Sequence, residues 1–197
     1  MHSTPTISQP HAISRRQLLT RGLAGAALLL VAPAFLRTAA GAAFAAIPSR
    51  GIALSNLHTG EKCALTYYEH GRYIPESLAA INRLLRDHRN NEEHVIDVAL
   101  LDVLVALHDK LKTNVPFEVI SGYRSPESNA AMHAHSNGVA KHSMHMEGRA
   151  MDIRVPNRAL QDVHATALAM GLGGVGYYPS SNFVHVDTGR VRQWVGA

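Results

Sequence analysis

The sequence predicts an α+β fold in which a small antiparallel sheet packs against several helices. Helical patterns come first and most strand patterns come late, which is not the strict alternation of a doubly wound sheet. The 197 residues are 46% hydrophobic and 17% charged, as expected of a globular domain with its own core. The single cysteine, Cys63, excludes a disulfide scaffold, and we expect it to be structural.

The excess positive charge of the chain lies in residues 1–45. The formal net charge is +4 at pH 7. The first 45 residues contain Arg15, Arg16, Arg21 and Arg37 and no acidic residue, whereas basic and acidic residues are equal in number from residue 46 onward. A neutral domain offers no electrostatic footprint for nucleic acid, so we expect no nucleic-acid partner.

Residues 1–45 have the order of an export signal. The pair Arg15-Arg16 resembles the twin-arginine signal, which exports folded proteins. The apolar run 22–35 and a small-residue motif follow, so we predict cleavage before Ala46 and a periplasmic location. The alternative is a retained membrane anchor. The apolar run is shorter than the about 20 residues that a spanning helix needs, so we expect no stable span after cleavage.

Residues 46–197 show no repeat or long linker and are predicted to form one domain, which begins with a hairpin. Ile52–Leu57 and Lys62–Tyr68 have strand character, and the turn sequence His58–Glu61 separates them. Pro75 suits the first turn of a helix, after which apolar residues recur at helical spacing. These apolar residues are Leu78, Ile81, Leu84 and Leu85.

The middle of the chain predicts a second helix and a short strand. Asp97 can cap the helix, because an aspartate at this position accepts hydrogen bonds from free backbone N–H groups. The apolar stripe of the helix continues to Leu111, and the strand follows at Phe117–Ile120. Residues 121–148 are expected to be mostly irregular, with a short helix after Pro126.

Three strands and one helix are predicted in the last third of the chain. The strands are Arg149–Val155, Val175–Tyr178 and Phe183–Asp187. The helix lies between the first two strands and ends before Gly171. Its apolar residues are Leu160, Val163, Ala167 and Met170.

Two of these strands each have an apolar face and a face with a potential metal ligand. Asp152 lies on the polar face of the first strand and His185 on that of the last, so neighbouring strands would bring them together. His145 would enter from the preceding loop, where Gly148 allows the turn and Ala150 leaves room. Two imidazoles and a carboxylate suit Zn²⁺ with one position open to water, which marks a catalytic site.

The spacing alone leaves an alternative open. His145 and His185 could be ordinary loop and strand histidines, with Asp152 in a salt bridge to an arginine. A resemblance favours the metal site. The segments Ser121–Ser125 and Ser143–Asp152, followed by a late strand histidine, resemble the zinc peptidases that cleave peptidoglycan cross-links and stems.

This group includes lysostaphin-type endopeptidases, D-Ala-D-Ala peptidases and the hedgehog signalling domain. Within it, the sequence is most similar to the MepK family of periplasmic murein endopeptidases. The similarity runs through nearly the whole mature chain, and it includes Asn56–Glu61, Gly71–Tyr73, Leu84–Asp87, Gly173–Pro179 and His185–Arg192. The resemblance implies a zinc ion held by His145, Asp152 and His185.

The resemblance also implies a role for Arg124. This residue matches the arginine that lies beside the zinc in the superfamily and stabilises the oxyanion of the tetrahedral intermediate. The alternative is a loop arginine that bonds to local carbonyl groups. Ser143 could bind the substrate backbone or fix the loop that carries His145.

The sequence departs from the superfamily at the general base. Many members have a glutamate or histidine two or three residues before the final histidine ligand, where this chain has Phe183 and Asn182. Asp187 shares a strand face with His185 and is the best replacement. Its alternative role is to hold the imidazole of His185 through the other ring nitrogen. The loop histidines His142 and His135 are further candidates for the base.

The resemblance implies an enzyme that hydrolyses L,D (3-3) cross-links between diaminopimelate residues of peptidoglycan. A D,D- or L,D-carboxypeptidase would use the same atoms. A zinc-stabilised domain that binds murein without turnover is a third reading, because the usual base is missing. Peptidoglycan is the expected partner in each case, and the sequence makes no prediction about oligomeric state.

Overall fold

An eight-stranded mixed sheet runs through the computed structural model, which describes residues 48–135 and 138–196. The predicted export signal and its cleavage site before Ala46 lie outside the described residues. Within the described ranges, no helix is both long enough and apolar enough to cross a membrane.

The strand order in the sheet is β3-β2-β1-β4-β5-β7-β6-β8. The strands are β1 (Arg50–Asn56), β2 (Lys62–Glu69), β3 (Arg72–Tyr73), β4 (Phe117–Ser121), β5 (Ala150–Arg154), β6 (Gly174–Tyr178), β7 (Phe183–Asp187) and β8 (Arg192–Val195). Neighbouring strands are antiparallel except for the pairs β1–β4 and β6–β8, which are parallel.

The α+β class is confirmed, whereas the prediction of a small antiparallel sheet is wrong in size and partly in strand direction. Phe117–Ser121 pairs with both the N-terminal hairpin and β5, so all strands join one sheet. Two strands were not predicted, β3 and β8. They have only two and four residues, which is too short for an alternating pattern to stand out.

The predicted helices are all present. They are α1 (Pro75–Leu84), α2 (Val98–Leu111), α3 (Pro126–His135) and α4 (Leu160–Met170). Pro75 begins α1, and the Asp97 side chain caps α2 by accepting a hydrogen bond from the Ala99 N–H. The predictions of the hairpin, of the cap and of the helix end before Gly171 are confirmed.

The hydrophobic core lies between the sheet and helices α1, α2 and α4. Helix α2 packs against α4 and β1, and α4 also contacts β6 and β7. The leucines of α2 are buried, because the sheet and α4 cover its apolar stripe. The core side chains of β5 and β7, such as Met151 and Val184, also face this layer. Alternate residues of the same strands therefore face the other side of the sheet.

Candidate metal centre

A single row of residues crosses five strands of the sheet. Ser121 of β4 pairs with Asp152 of β5, Asp152 with His185 of β7, His185 with Gly176 of β6, and Gly176 with Trp194 of β8. The strands that carry Asp152 and His185 are neighbours, which is the condition on which their convergence depended, and the two residues lie directly opposite each other. Residues opposite each other on neighbouring strands share a face, so the row places its side chains on one surface.

Gly176 lets Trp194 reach over this row. A Cβ atom at residue 176 would lie 2.5 Å from the indole of Trp194. Because glycine leaves this space open, the Trp194 ring lies 5.1 Å from the ring of His185. The indole N–H also donates to the Tyr178 hydroxyl at 2.9 Å. Trp194 was not identified from the sequence, because it lies on a strand that was not predicted.

His145 enters from a 3₁₀ helix, Met144–Glu147. The Ser143 hydroxyl accepts a hydrogen bond from the His145 N–H, which fits the loop-fixing role that the sequence left open for Ser143. Gly148 ends the helix with a φ of 65°, in the left-handed region that glycine tolerates. The expectation that Gly148 allows this turn is confirmed.

Three acceptor atoms meet at this point, and their residues are buried. His185 Nδ1 lies 2.9 Å from Asp152 Oδ1 and 3.2 Å from His145 Nε2. His145 Nε2 lies 3.3 Å from the same Asp152 oxygen. Each residue thus offers one ligand atom to a common point, as a three-ligand metal site requires.

The outer nitrogen of each imidazole has its own partner. Nδ1 of His145 lies 2.7 Å from the Gly122 carbonyl oxygen, and Nε2 of His185 lies 3.0 Å from Asp187 Oδ2. A carbonyl or carboxylate oxygen can only accept, so each outer nitrogen carries the hydrogen and donates it. In the neutral imidazoles, the inner nitrogens then present lone pairs towards Asp152. Three lone pairs this close together require a positive charge between them, so these residues fit a cation.

The electrostatics of the cluster agree with this conclusion. Burial raises the pKa of the Asp152 carboxyl, but the imidazoles of His145 and His185 outweigh burial and hold this pKa well below its usual range. Burial lowers the pKa of His185, but hydrogen bonds to Asp152 and Asp187 raise it above its usual value. Asp152 and Asp187 therefore make this cluster attractive to positive charge.

Arg124 lies beside the cluster and is only 6% exposed. Its Nη2 is 3.8 Å from Asp152 Oδ2, and its Nη1 donates to Asn129 Oδ1 at 3.3 Å. Within the described residues, its Nε has no hydrogen-bond partner. The Asn129 amide also donates to the Ala140 carbonyl at 3.0 Å, which ties the Arg124 side chain to the following loop. A buried guanidinium beside the cluster is suited to stabilise an oxyanion.

Asp187 is buried behind His185. Its carboxylate accepts hydrogen bonds from Arg192 at 3.0 and 2.6 Å, from the Gly174 N–H at 3.1 Å and from the Gly189 N–H at 2.8 Å, in addition to His185. These contacts fit the second of the two roles that the sequence left open, in which Asp187 holds the imidazole of His185. Arg192 was not identified from the sequence, because its link to Asp187 depends on the turn between β7 and β8.

His145, Asp152 and His185 line a groove of about 760 Å³. Tyr178, Phe183 and Trp194 form an aromatic wall, in which the rings of Tyr178 and Phe183 stack at 4.4 Å. The neighbouring Tyr177 instead packs against the core. Of the two loop histidines considered as bases, His142 lines the groove, whereas His135 is not among the described residues that line it.

Comparisons with known proteins identify the family. The family described as peptidoglycan L,D-endopeptidase MepK matches residues 44–194. Peptidoglycan L,D-endopeptidase MepK of Escherichia coli K12 is 45% identical over 92% of this chain and 97% of that protein, and the Shigella flexneri protein gives the same values. The probable peptidoglycan L,D-endopeptidase MepK of Haemophilus influenzae is 40% identical over 75% of this chain and 80% of that protein. No solved structure matches significantly. The chain therefore belongs to the MepK family and is a metallopeptidase.

Proposed function

We propose that the protein is a zinc-dependent peptidoglycan endopeptidase whose metal ligands are His145, Asp152 and His185. The observation that carries this proposal is the convergence of three buried acceptor atoms on one wall of an open groove. Two imidazoles and one carboxylate are a donor set that suits zinc with an open position. The relatives are named for the same activity.

Zinc held by these residues would supply a Lewis acid that activates water and polarises the scissile carbonyl. The chain itself supplies orientation and charge. The Gly122 carbonyl and the Asp187 carboxylate fix the tautomers of His145 and His185, so that the correct nitrogens face the centre. The Arg124 guanidinium lines the groove beside Asp152 and would supply positive charge to the carbonyl oxygen as negative charge develops there.

We assign the proton-accepting role to His142 and the positioning role to Asp187. A general base must reach the reacting water, and Asp187 is not among the described residues that line the groove. The acceptors that line it besides the ligands include His58, His142 and Tyr178. The ring of His58 stacks on His88, and the Tyr178 hydroxyl accepts a hydrogen bond from Trp194. Of these three residues, His142 is therefore the best placed to accept a proton.

We propose that the bonds it hydrolyses are L,D (3-3) cross-links. Its test is to incubate the purified, zinc-loaded protein with whole sacculi and to identify the released muropeptides by mass spectrometry. We expect 3-3 cross-linked dimers to fall and monomers to rise. Loss of terminal D-alanine with the dimers intact would show a carboxypeptidase instead. Retention on sacculi without any hydrolysis would show a murein-binding domain.

We further propose that residues 1–45 deliver the domain 46–197 to the periplasm through the twin-arginine route. The paired arginines before an apolar run support this proposal. Replacing Arg15 and Arg16 together with lysine should leave the protein in the cytoplasm, as measured by cell fractionation. Undiminished periplasmic delivery of this variant would show that another export route carries it.

A further inference from the structure

Two loops beside the metal cluster are tied together by one buried carboxylate. Asp87 is fully buried, and it accepts hydrogen bonds from the Ser125 N–H at 2.9 Å and from the Arg89 N–H at 3.0 Å. The Tyr123 N–H donates to the Leu85 carbonyl at 2.8 Å, which joins the same two loops again. The loops that carry Arg89 and Arg124 are therefore held side by side.

Both arginines face the groove that holds the metal cluster. The Arg89 side chain is 35% exposed, and its single side-chain hydrogen bond within the described residues is to Asp87 Oδ1 at 3.4 Å. Arg124 is buried deeper, with a side chain that is 8% exposed. Two guanidinium groups thus line the same groove, and Arg89 is the more exposed of the two.

The charges around the groove have one predominant sign. Among the described residues that line it, the arginines are Arg89, Arg124 and Arg192, and the carboxylate is Asp152 alone. Arg192 is held by Asp187 through two hydrogen bonds of 3.0 and 2.6 Å, whereas the Arg89 side chain makes one longer contact to Asp87, at 3.4 Å. The partly exposed Arg89 guanidinium therefore keeps donors that favour an anionic group of the substrate in the groove.

The cross-link of diaminopimelate murein carries such a group. The nitrogen of the scissile amide belongs to an amino acid centre that also bears a free carboxylate, two bonds from that nitrogen. Guanidinium groups bind carboxylates through paired, charge-assisted hydrogen bonds. Arg124 is beside the ligand atoms, where the carbonyl oxygen develops charge, so Arg89 is the neighbouring donor available for the carboxylate.

We propose that Arg89 binds the carboxylate beside the scissile amide and makes the enzyme selective for cross-links in which this carboxylate is free. This inference rests on the proposed endopeptidase function. It assigns to Arg89 a substrate contact that is separate from metal binding and from oxyanion stabilisation.

The test compares two synthetic cross-linked dimers that differ only in this carboxylate, which is either free or amidated. We expect the wild type to prefer the free dimer about 10- to 100-fold in kcat/KM, the range of one charge-assisted interaction. Arg89→Gln should lose this preference through a higher KM for the free dimer, with kcat and zinc content little changed. Arg89→Lys should retain part of the preference, because it keeps the charge but not the paired donors.

The matched control is Arg83→Gln, which removes the same charge from an exposed arginine that pairs with Glu93. This variant should keep the wild-type preference. An equal loss on both dimers in Arg89→Gln would show a structural role through Asp87 and would overturn the proposal, as would an unchanged preference. If the wild type releases no monomers from sacculi, the endopeptidase function fails first; if it does so but cleaves both dimers equally, only the Arg89 inference fails.

Discussion

The two imidazoles of the metal cluster are held by different kinds of partner. His145 donates its outer N–H to a backbone carbonyl, that of Gly122. His185 donates its outer N–H to a side chain, Asp187, which Arg192 holds in turn by two hydrogen bonds. One imidazole is thus oriented by the path of a loop, and the other is oriented by a charged network.

This difference shows which parts of the centre can vary. A backbone partner is present whatever the side chain at residue 122, so His145 depends on how closely that loop packs. A carboxylate partner makes the imidazole a stronger donor to a cation, and its effect changes with its own neighbours. Substitutions around Asp187, the partner of His185, should therefore change metal affinity. Substitutions in the loop of Gly122, the partner of His145, should mainly change the stability of the fold.

The largest expected effect comes from removing either imidazole. His145→Ala and His185→Ala should both lose stoichiometric zinc binding, because three protein ligands leave no redundancy. Metal analysis of the purified variants checks this, and hydrolysis of sacculi should fall with the zinc content. Full zinc occupancy in either variant would remove that histidine from the ligand set.

Gly122→Ala tests the backbone partner of His145. A Cβ atom at this residue would lie 2.6 Å from the Leu85 carbonyl oxygen and 2.9 Å from its Cβ, so the two loops must separate. Overpacking of this kind typically costs about 1–3 kcal/mol. We expect a Tm that is lower by several degrees in calorimetry, with zinc affinity reduced because the carbonyl partner of His145 moves. An unchanged Tm would show that the contact between residue 122 and Leu85 can widen without loss of stability.

Much of the metal centre was predictable because strand periodicity determines which side chains share a face. The alternation in β5 and β7 placed Asp152 and His185 on their polar faces, and the register puts them opposite each other. The sequence could not show which nitrogen of His185 faces which carboxylate. That choice depends on side-chain rotation and on Arg192, and it separates the two roles left open for Asp187.

The rest of the fold was predictable where a long element buries an apolar stripe, as in α2. It was not predictable where an element depends on a partner. Strand β8 alternates only between half-buried and exposed residues, and it exists because it pairs with β6. Trp194 reaches His185 across Gly176, which is a contact between strands that no local spacing indicates. The aromatic wall of the groove therefore could not be predicted from local sequence patterns.

Asp187→Asn tests the charged partner of His185. If Asp187 positions His185, zinc affinity should fall about 10- to 100-fold, as is typical for loss of such a partner. Activity should then return to near wild type at saturating zinc. Competition with a chromophoric chelator measures the affinity, and sacculus hydrolysis at two zinc concentrations measures the recovery. A drop of about two to four orders of magnitude that persists at saturating zinc would instead make Asp187 the proton acceptor.

His142→Gln provides the complementary variant. If His142 accepts the proton, this variant should keep wild-type zinc affinity and lose about two to four orders of magnitude in kcat. His58→Gln, which alters another groove histidine, is the matched control and should retain most of the rate. Full activity of His142→Gln would exclude His142 as the base.

The smallest effect is expected from Arg192→Gln, which acts on His185 only through Asp187. The variant loses two of the hydrogen bonds to Asp187, while those from His185 and the N–H groups of Gly174 and Gly189 remain. We therefore expect zinc affinity to fall less than in Asp187→Asn, by under about 10-fold. Arg190→Gln removes a charge from an exposed neighbour and should leave zinc affinity unchanged.

The pH dependence of stability gives a second measurement of the same variant, made without zinc. Burial raises the pKa of Asp187, but hydrogen bonds from His185 and Arg192 outweigh burial and hold it below its usual range. A carboxylate of this kind stabilises the fold above its unfolded pKa of about 4, and the contribution is lost as the pH falls towards the folded pKa. Arg192→Gln should therefore be less stable than wild type at pH 7, and the difference should shrink below about pH 4. A difference that is the same at both pH values would show that Arg192 stabilises the protein by packing against Trp194 and not through Asp187.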